Sequence, residues 1–278
     1  DHRARQRLFF GHCLKYLKSE RQQSWALMAD TDEYLSLNYQ TLRDADDITI
    51  DVPPISQPGS VAAFIEQMRG HDDAGVANVN GSLPIDTLLS SPCIQIPRIR
   101  YGSMETLQQA DAAFPHQNQH QHQLSSFNAS RLSTWRWRCH APPHDHRHNK
   151  ISKTLIDVSR VPDQDLVPAA FTSIHIPIRS MCTQRRLHVR TNQSYLMIRH
   201  YLGSYEQYMY RANDARDRTR EQYDRNDVVG RRVRCNDDVN AEDIRAWLSG
   251  FIDDVGKKDA AELLRGAGQL DVGAGNNG

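Results

Sequence analysis

The sequence lacks the features that mark several large classes of protein. No apolar run approaches the roughly 18 residues that a membrane-spanning helix requires. Lysine and arginine together number 34, and so do aspartate and glutamate. The chain therefore has no overall field that would attract nucleic acid or an anionic membrane. We expect no nucleic-acid partner, and contact with a membrane only through a segment outside this chain.

Cysteine is also scarce, and no two cysteines form a C-x-x-C pair. The five lie at positions 13, 93, 139, 182 and 235. This spacing argues against a zinc ribbon and against a dense disulfide scaffold. Spacing does not determine which cysteines pair, and we consider Cys139 with Cys182 only as a guess.

The N-terminal stretch DHRARQRLFF has neither an initiator methionine nor the apolar core of a signal peptide. We read the chain as an internal fragment, with any targeting or anchoring segment upstream. Three N-glycosylation sequons, which begin at Asn80, Asn128 and Asn192, favour the secretory pathway.

Hydrophobic periodicity predicts a chain in which helices and strands are mixed. Apolar residues at helical spacing predict helices over 7–23, 60–68 and 240–256. A capping box, Ser204 with Gln207, predicts a polar helix over 204–224. Strand-like patterns cover 25–29, 93–103, 153–161, 173–178 and 195–201. The expected fold class is α/β, with a mixed sheet flanked by helices and a C-terminal helical segment.

Residues 115–149 differ in composition from the rest of the chain, because they contain seven of the thirteen histidines together with many glutamines. We predict a mobile inserted loop. Its histidines have spacing that zinc could use, but they lack thiolate partners, so adventitious metal binding is the better interpretation. The stretch TWRWRCH resembles single-strand nucleic-acid binders, although core tryptophans are its ordinary explanation on a neutral protein.

The stretch WALMADTDEYLSL places three carboxylates in one turn at the end of an apolar strand. Asp30 and Asp32 form a D-x-D pair, and Glu33 follows directly. Two carboxylates so close together can hold Mg²⁺ or Mn²⁺ from one side and leave the other side to substrate phosphates. In open α/β sheets, ligands collect at the carboxyl ends of strands, where this pair lies. The alternative is a solvated turn or a helix cap.

Four segments in this order resemble the family 92 type glycosyltransferases, which use nucleotide sugars. The segments are SWALMADTDEYLSLN, IPRIRYGSMET, KTLIDVSRV and RHYLGSYEQYMYRANDAR. The family has a D-x-D-E-[FY]-[IL] strand, a later arginine–aromatic–glycine segment, and a His-Tyr pair before a Ser-x-Glu helix. The resemblance spans about residues 6–256, and D-T-D-E-Y-L and H-Y-L-G-S-Y-E are its specific parts.

The resemblance implies a GT-A fold, here N-terminally truncated, over 1–230, followed by a helical segment over 231–278. It implies transfer of a hexose such as galactose from a UDP-sugar to a hydroxyl of a glycan or glycoconjugate, with inversion at the anomeric carbon. It also implies a Golgi or secretory-pathway lumen location, with the full-length protein anchored in the membrane.

By the same resemblance, Asp30 and Asp32 would hold Mn²⁺ or Mg²⁺ against the UDP diphosphate. His200, in the His-Tyr pair, would be the third metal ligand. His175 is an alternative ligand, although its alternating surroundings suit a packed strand.

Glu105 is the candidate general base that removes the proton of the acceptor hydroxyl. Glu206 is a rival, but its position in a capping box gives it a simpler role. Arg98, Arg100 and Tyr101 could bind the diphosphate or the acceptor, or they could form an exposed face of an edge strand.

Two other functions stay open. A metal-dependent phosphotransferase or phosphatase would also use clustered aspartates, but the accompanying lysine and threonine motif is not found. A non-catalytic glycan-binding or scaffold protein, built on a decayed transferase domain, is favoured by the missing nucleotide-binding half and by the histidine-rich segment.

Overall fold

The computed structural model describes residues 2–21, 25–30, 32–44, 51–72, 92–101, 132–136, 139, 149, 152–182, 191–201 and 238–267. Within these residues the strands form two three-stranded sheets. The first sheet has the order β1 (Trp25–Leu27), β5 (Lys153–Asp157), β3 (Cys93–Ile96). The second has the order β2 (Glu33–Leu37), β6 (Leu196–Tyr201), β4 (Arg98–Tyr101).

Helices account for much of the rest of the described chain. They are α1 (His2–Ser19), α2 (Tyr39–Arg43), α3 (Ser60–Asp72), α4 (Ser133–Arg136), α5 (Arg179–Cys182), α6 (Asp238–Val255) and α7 (Lys257–Gly266). Short 3₁₀ turns follow at Val158–Arg160, Asp163–Asp165 and Thr191–Gln193. The predicted α/β class is confirmed at this level, and the predicted helices over 7–23, 60–68 and 240–256 correspond to α1, α3 and α6.

The central strand of the first sheet is β5, whose residues are all buried. β1 and β3 pair with it in antiparallel orientation, with Ala26 and Cys93 both opposite Ile156. A strand buried on both faces reads in sequence as an almost continuous apolar run. Lys153 is the exception to that pattern, because it is a charged residue at the first position of the buried strand.

In the second sheet, β2 pairs antiparallel with β6, so that Glu33 lies opposite His200 and Leu37 opposite Leu196. Directly opposed residues of an antiparallel pair project from the same face of the sheet. This pairing therefore brings the start of β2 and the end of β6 together on one face.

The chain passes from the first sheet to the second three times, and two of these crossings are short. The acidic turn carries it from β1 to β2, and Pro97 separates β3 from β4. Proline has no N–H to continue a ladder, but the Pro97 carbonyl accepts a hydrogen bond from the Ile198 backbone N–H at 2.9 Å. The residues that follow these two crossings, Glu33 and Arg98, contact each other.

Asn38 directly follows β2 and hydrogen-bonds to the chain that leads into β6. Its side-chain oxygen accepts from the Thr41 backbone N–H at 3.4 Å and so caps α2. Its Nδ2 donates to the carbonyls of Thr191, at 2.6 Å, and Ser194, at 3.0 Å. These bonds anchor both strands of the β2–β6 pair at the end opposite the acidic turn.

Contacts divide the chain into two compact units, which we describe separately. The first comprises 1–52, 63–99 and 143–200, and the second 53–62, 100–142 and 201–278. In the first, Leu14 of α1 packs in one core cluster with residues of β1, β3 and the chain after β5. In the second, Trp135 of α4 packs with the apolar stripe of α6 and with α7.

A disulfide joins Cys93 in β3 to Cys182 in α5, with 5.1 Å between their Cα atoms. The guessed pairing of Cys139 with Cys182 is therefore wrong, because Cys182 is already bonded. Cys139 is also disulfide-bonded, whereas Cys13 is free.

The predicted strand at 173–178 is wrong. The segment bends back on itself: Phe171 and Ile178 form an isolated bridge, and the Ser173 backbone N–H donates to the Ile176 carbonyl at 3.2 Å. The Ser173 hydroxyl accepts from the backbone N–H groups of His175, at 3.3 Å, and Ile176, at 3.1 Å. A serine that binds the backbone in this way favours a turn over an extended ladder.

The predicted mobile loop at 115–149 is only partly described. Its described residues include Leu132, Trp135, Cys139 and Asn149, all of which are buried. At these points the segment contributes to folded cores, and the ordinary explanation of Trp135 as a core residue is confirmed. The rest of the loop, the predicted helix at 204–224 and the boundary near 230 lie outside the described residues, so they stay predictions. No helix in the described part of the chain is both long and apolar enough to cross a membrane.

Candidate functional site

The acidic turn between β1 and β2 is closed by its own hydrogen bonds. The Glu33 backbone N–H donates to the Asp30 carbonyl at 3.1 Å, and the Asp30 N–H donates to Glu33 Oε2 at 3.0 Å. The side chain of Asp30 is 52% exposed, that of Asp32 is 14% exposed, and that of Glu33 is fully buried. The three acids thus lie in one turn, but in three different environments.

Glu33 is the centre of a buried ion cluster. Its Oε2 lies 2.7 Å from Lys153 Nζ, and its Oε1 lies 3.3 Å from Arg98 Nη1. A buried carboxylate needs such partners, because desolvation without them is very costly. Both oxygens of Glu33 are engaged in this way, so we assign it a structural role in the cluster.

Lys153 connects the two sheets through this cluster. It opens β5 of the first sheet and is fully buried, yet its ammonium contacts Glu33 of the second sheet and lies 3.1 Å from Asp30 Oδ2. Neither Lys153 nor Glu33 was predicted as a site residue from the sequence. A signal was present in KTLID, because a lysine at the head of a strand buried on both faces needs a carboxylate partner.

Arg98 is buried against Glu33 and does not form the exposed edge face that the sequence analysis considered. Burial lowers the pKa of the Arg98 guanidinium, and the opposing attraction and hydrogen bond of Glu33 raise it, with smaller contributions from Asp30 and Asp32. In this arrangement Arg98 serves the internal cluster, and its predicted role toward a diphosphate has no support from its position.

His200 lies beside the acidic turn because of the β2–β6 register. Its Nε2 is 3.5 Å from Asp32 Oδ2, and its Nδ1 is 3.9 Å from Glu33 Oε1. The Nδ1 atom is buried and has no hydrogen-bond partner among the described residues. The fold therefore brings Asp32 of the D-x-D pair together with His200, its predicted partner, whereas the side-chain contact of Asp30 is with Lys153.

Tyr101 is 1% exposed and stacks on Tyr201, with 4.4 Å between the ring centroids. Its predicted contact with a ligand has no support from this placement, since the ring offers no free surface. The candidate base Glu105 and its rival Glu206 lie outside the described residues, and their roles stay predictions.

His175, the alternative metal ligand, lies in the bent segment before α5, where its Nδ1 is 2.9 Å from the Ser152 carbonyl oxygen. Burial lowers the pKa of His175, the charges of Lys153 and Arg98 lower it further, and the Ser152 hydrogen bond and Glu33 oppose these effects. This environment is that of a neutral, packed imidazole.

Asp30, Asp32 and His200 carry oxygen and nitrogen donors of the kinds that bind divalent cations. In the described residues no group of three or more His, Cys, Asp or Glu side chains could hold a metal ion on its own. The half-exposed Asp30 carboxylate and the Asp32–His200 pair nevertheless supply oxygen and nitrogen donors in the same turn region. Mg²⁺ is usually held by one or two carboxylates, with substrate phosphates and water completing its coordination. The donors therefore suit a cation bound together with a phosphate ligand.

Comparisons with known proteins do not identify the chain. No protein-family model matches it, and neither a curated protein nor a solved structure does. We therefore base the proposed function on the sequence motifs and on the geometry of this site.

Proposed function

We propose that the chain is the catalytic part of a metal-dependent glycosyltransferase of GT-A type. It would transfer a hexose from a UDP-sugar to a hydroxyl of a glycan or glycoconjugate, with inversion. The supporting observation is the meeting of Asp32 with His200 across β2 and β6, because these residues belong to the two most specific segments of the resemblance. The Cys93–Cys182 disulfide also suits the lumen of the secretory pathway.

Each described residue of the site has a distinct task in this proposal. Asp30 and Asp32 would hold Mn²⁺ or Mg²⁺, and His200 would orient Asp32 and supply a further donor. A bound cation would neutralise charge on the departing diphosphate. The buried cluster around Glu33 would fix the turn, so that the two aspartates keep their positions when the ligand binds.

The transfer itself is a single displacement. The acceptor oxygen forms a bond to the anomeric carbon while the bond from that carbon to the diphosphate oxygen breaks, and the acceptor proton passes to a carboxylate. Glu105 is the candidate for that carboxylate.

A second candidate is a non-catalytic glycan-binding or scaffold protein on a decayed transferase domain. One observation favours it: Lys153 already neutralises Asp30 and Glu33 without any metal. Such a turn can be a purely structural element. The two candidates differ in whether the aspartates bind a metal–nucleotide complex.

A calorimetric titration of UDP, with and without Mn²⁺, tests the proposal on the wild type and on an Asp30→Ala, Asp32→Ala variant. The matched control is Asp253→Ala, Asp254→Ala, which removes two neighbouring exposed aspartates of α6. We expect Mn²⁺-dependent UDP binding in the wild type and the control, and its loss in the site variant.

Metal-independent UDP binding that survives the double change would remove the role of both aspartates. The scaffold candidate would be favoured if the protein binds glycans but does not bind UDP and neither transfers nor hydrolyses the sugar of any UDP-sugar in a panel.

A further inference from the structure

We propose that Lys153 is a built-in counter-ion that competes with the divalent cation for Asp30 and makes cation binding depend on the diphosphate. This inference rests on the cation site of the proposed function, and it deepens that function by stating how metal and nucleotide binding are coupled.

The geometry of Lys153 gives it this position. Its ammonium lies 3.1 Å from Asp30 Oδ2 and 2.7 Å from Glu33 Oε2, and the side chain is fully buried. It cannot turn away into solvent when a cation arrives. Asp30, in contrast, is 52% exposed, so a cation that approaches from solvent meets a carboxylate that already shares one oxygen with an ammonium.

The charges of the cluster also support competition between Lys153 and a cation. Three carboxylates, Asp30, Asp32 and Glu33, are balanced by two fixed cations, Lys153 and Arg98. A free dication therefore meets a site with little net negative charge and a fixed positive charge nearby. Even with water-like screening, an ammonium about 5 Å away weakens the binding of a dication on the order of tenfold.

The diphosphate of a nucleotide changes that balance. It brings its own negative charge and oxygen ligands, so the cation binds well only as part of the complex. Coupling of this kind is reciprocal, so Mn²⁺ and UDP should each raise the affinity of the other by the same factor. A fixed lysine would thus select the metal–diphosphate pair over the free metal.

Mn²⁺ binding, measured by calorimetry with and without UDP, tests the inference on Lys153→Met and Lys153→Gln. Glutamine retains a hydrogen-bond donor for the carboxylates and keeps the test valid if methionine prevents folding. The matched control is Lys18→Met, which also removes one positive charge but from a lysine that pairs with the exposed Asp163 at 2.8 Å. Circular dichroism establishes that each variant is folded.

We expect the Lys153 variants to bind Mn²⁺ alone on the order of tenfold more tightly than the wild type, and the enhancement by UDP to shrink. Lys153→Arg and Lys18→Met should behave like the wild type. A folded Lys153 variant that binds Mn²⁺ no more tightly than the wild type does would overturn the inference. The proposed function would still stand in that case if the wild type binds Mn²⁺ in the presence of UDP.

The other outcomes separate the two proposals as well. If a Lys153 variant binds Mn²⁺ and the wild type does not, even with UDP, the result supports the counter-ion role of Lys153 and contradicts the proposed transferase function. Absence of Mn²⁺ binding in every protein, with and without UDP, overturns both.

Discussion

Replacement of Glu33 by alanine tests the buried ion cluster most directly. The carboxylate accepts from Lys153 at 2.7 Å, from Arg98 at 3.3 Å and from the Asp30 N–H at 3.0 Å. Its loss leaves a fully buried ammonium for which Asp30 is the remaining carboxylate contact among the described residues. Breaking a buried ion pair by removing one partner costs roughly 3–5 kcal/mol, and we expect Glu33→Ala to lower the free energy of unfolding by about that much.

The measurement is urea unfolding followed by far-ultraviolet circular dichroism. Small domains have a free energy of unfolding of roughly 5–15 kcal/mol, so the expected loss is a large fraction of the total and easily resolved. Glu33→Gln keeps the shape and one acceptor oxygen, and should cost less than alanine. The control is Glu262→Ala on the exposed side of α7, which should change stability by no more than about 0.5 kcal/mol. A Glu33→Ala protein within about 1 kcal/mol of the wild type would refute the reasoning, since no buried pair would then have been broken.

Two further predictions concern the same unit. The Cys93–Cys182 disulfide closes a loop with a sequence separation of 89, so the paired serine variant should lose roughly 4–5 kcal/mol by the loop-entropy relation. Thermal unfolding measures this loss of stability, and the control Cys13→Ser, which removes the free cysteine, should leave the midpoint unchanged. An unchanged midpoint in the paired serine variant would contradict the prediction. The pKa of His175 in the folded protein lies below its ordinary 6.5, so the unfolded chain takes up this proton at a higher pH than the folded protein does. The contribution of neutral His175 to stability is therefore complete above about pH 6.5 and declines as the pH falls below that value. His175→Gln should make that decline shallower in urea unfolding across the pH range, and an unchanged slope would count against a buried neutral imidazole.

The local elements could be predicted from the sequence where their patterns were strong. The apolar stripes of α1 and α6 and the strand before the acidic turn follow from the sequence pattern, whereas β2, directly after the turn, was not predicted. The segment at 173–178 misled the same reasoning, because its alternation is that of a strand while the Ser173 hydroxyl binds the local backbone. A pattern of apolar residues carries no information about such a bond.

The composition of the site was harder to predict than its location. Asp30, Asp32 and His200 were predicted as site residues from the sequence, whereas Lys153 and Glu33 were not, and Arg98 was predicted either to bind a ligand or to lie on an exposed edge strand. These three depend on contacts between strands far apart in the sequence, and pairing across two sheets is not encoded in local spacing. The Cys93–Cys182 bond was missed for the same reason, since cysteine positions leave the connectivity open.

The pairing of Glu33 with His200 also has a consequence for how the strands align as the protein folds. Apart from its ends, β2 is only half-buried, so its apolar pattern discriminates weakly between neighbouring alignments. A shift by one position would turn every side chain to the opposite face, and would leave the Lys153 ammonium in the interior without Glu33. A misaligned β2–β6 pair would thus be destabilised by an unpaired buried charge. The ion cluster would in this way select the correct register of two strands whose apolar pattern alone specifies it weakly.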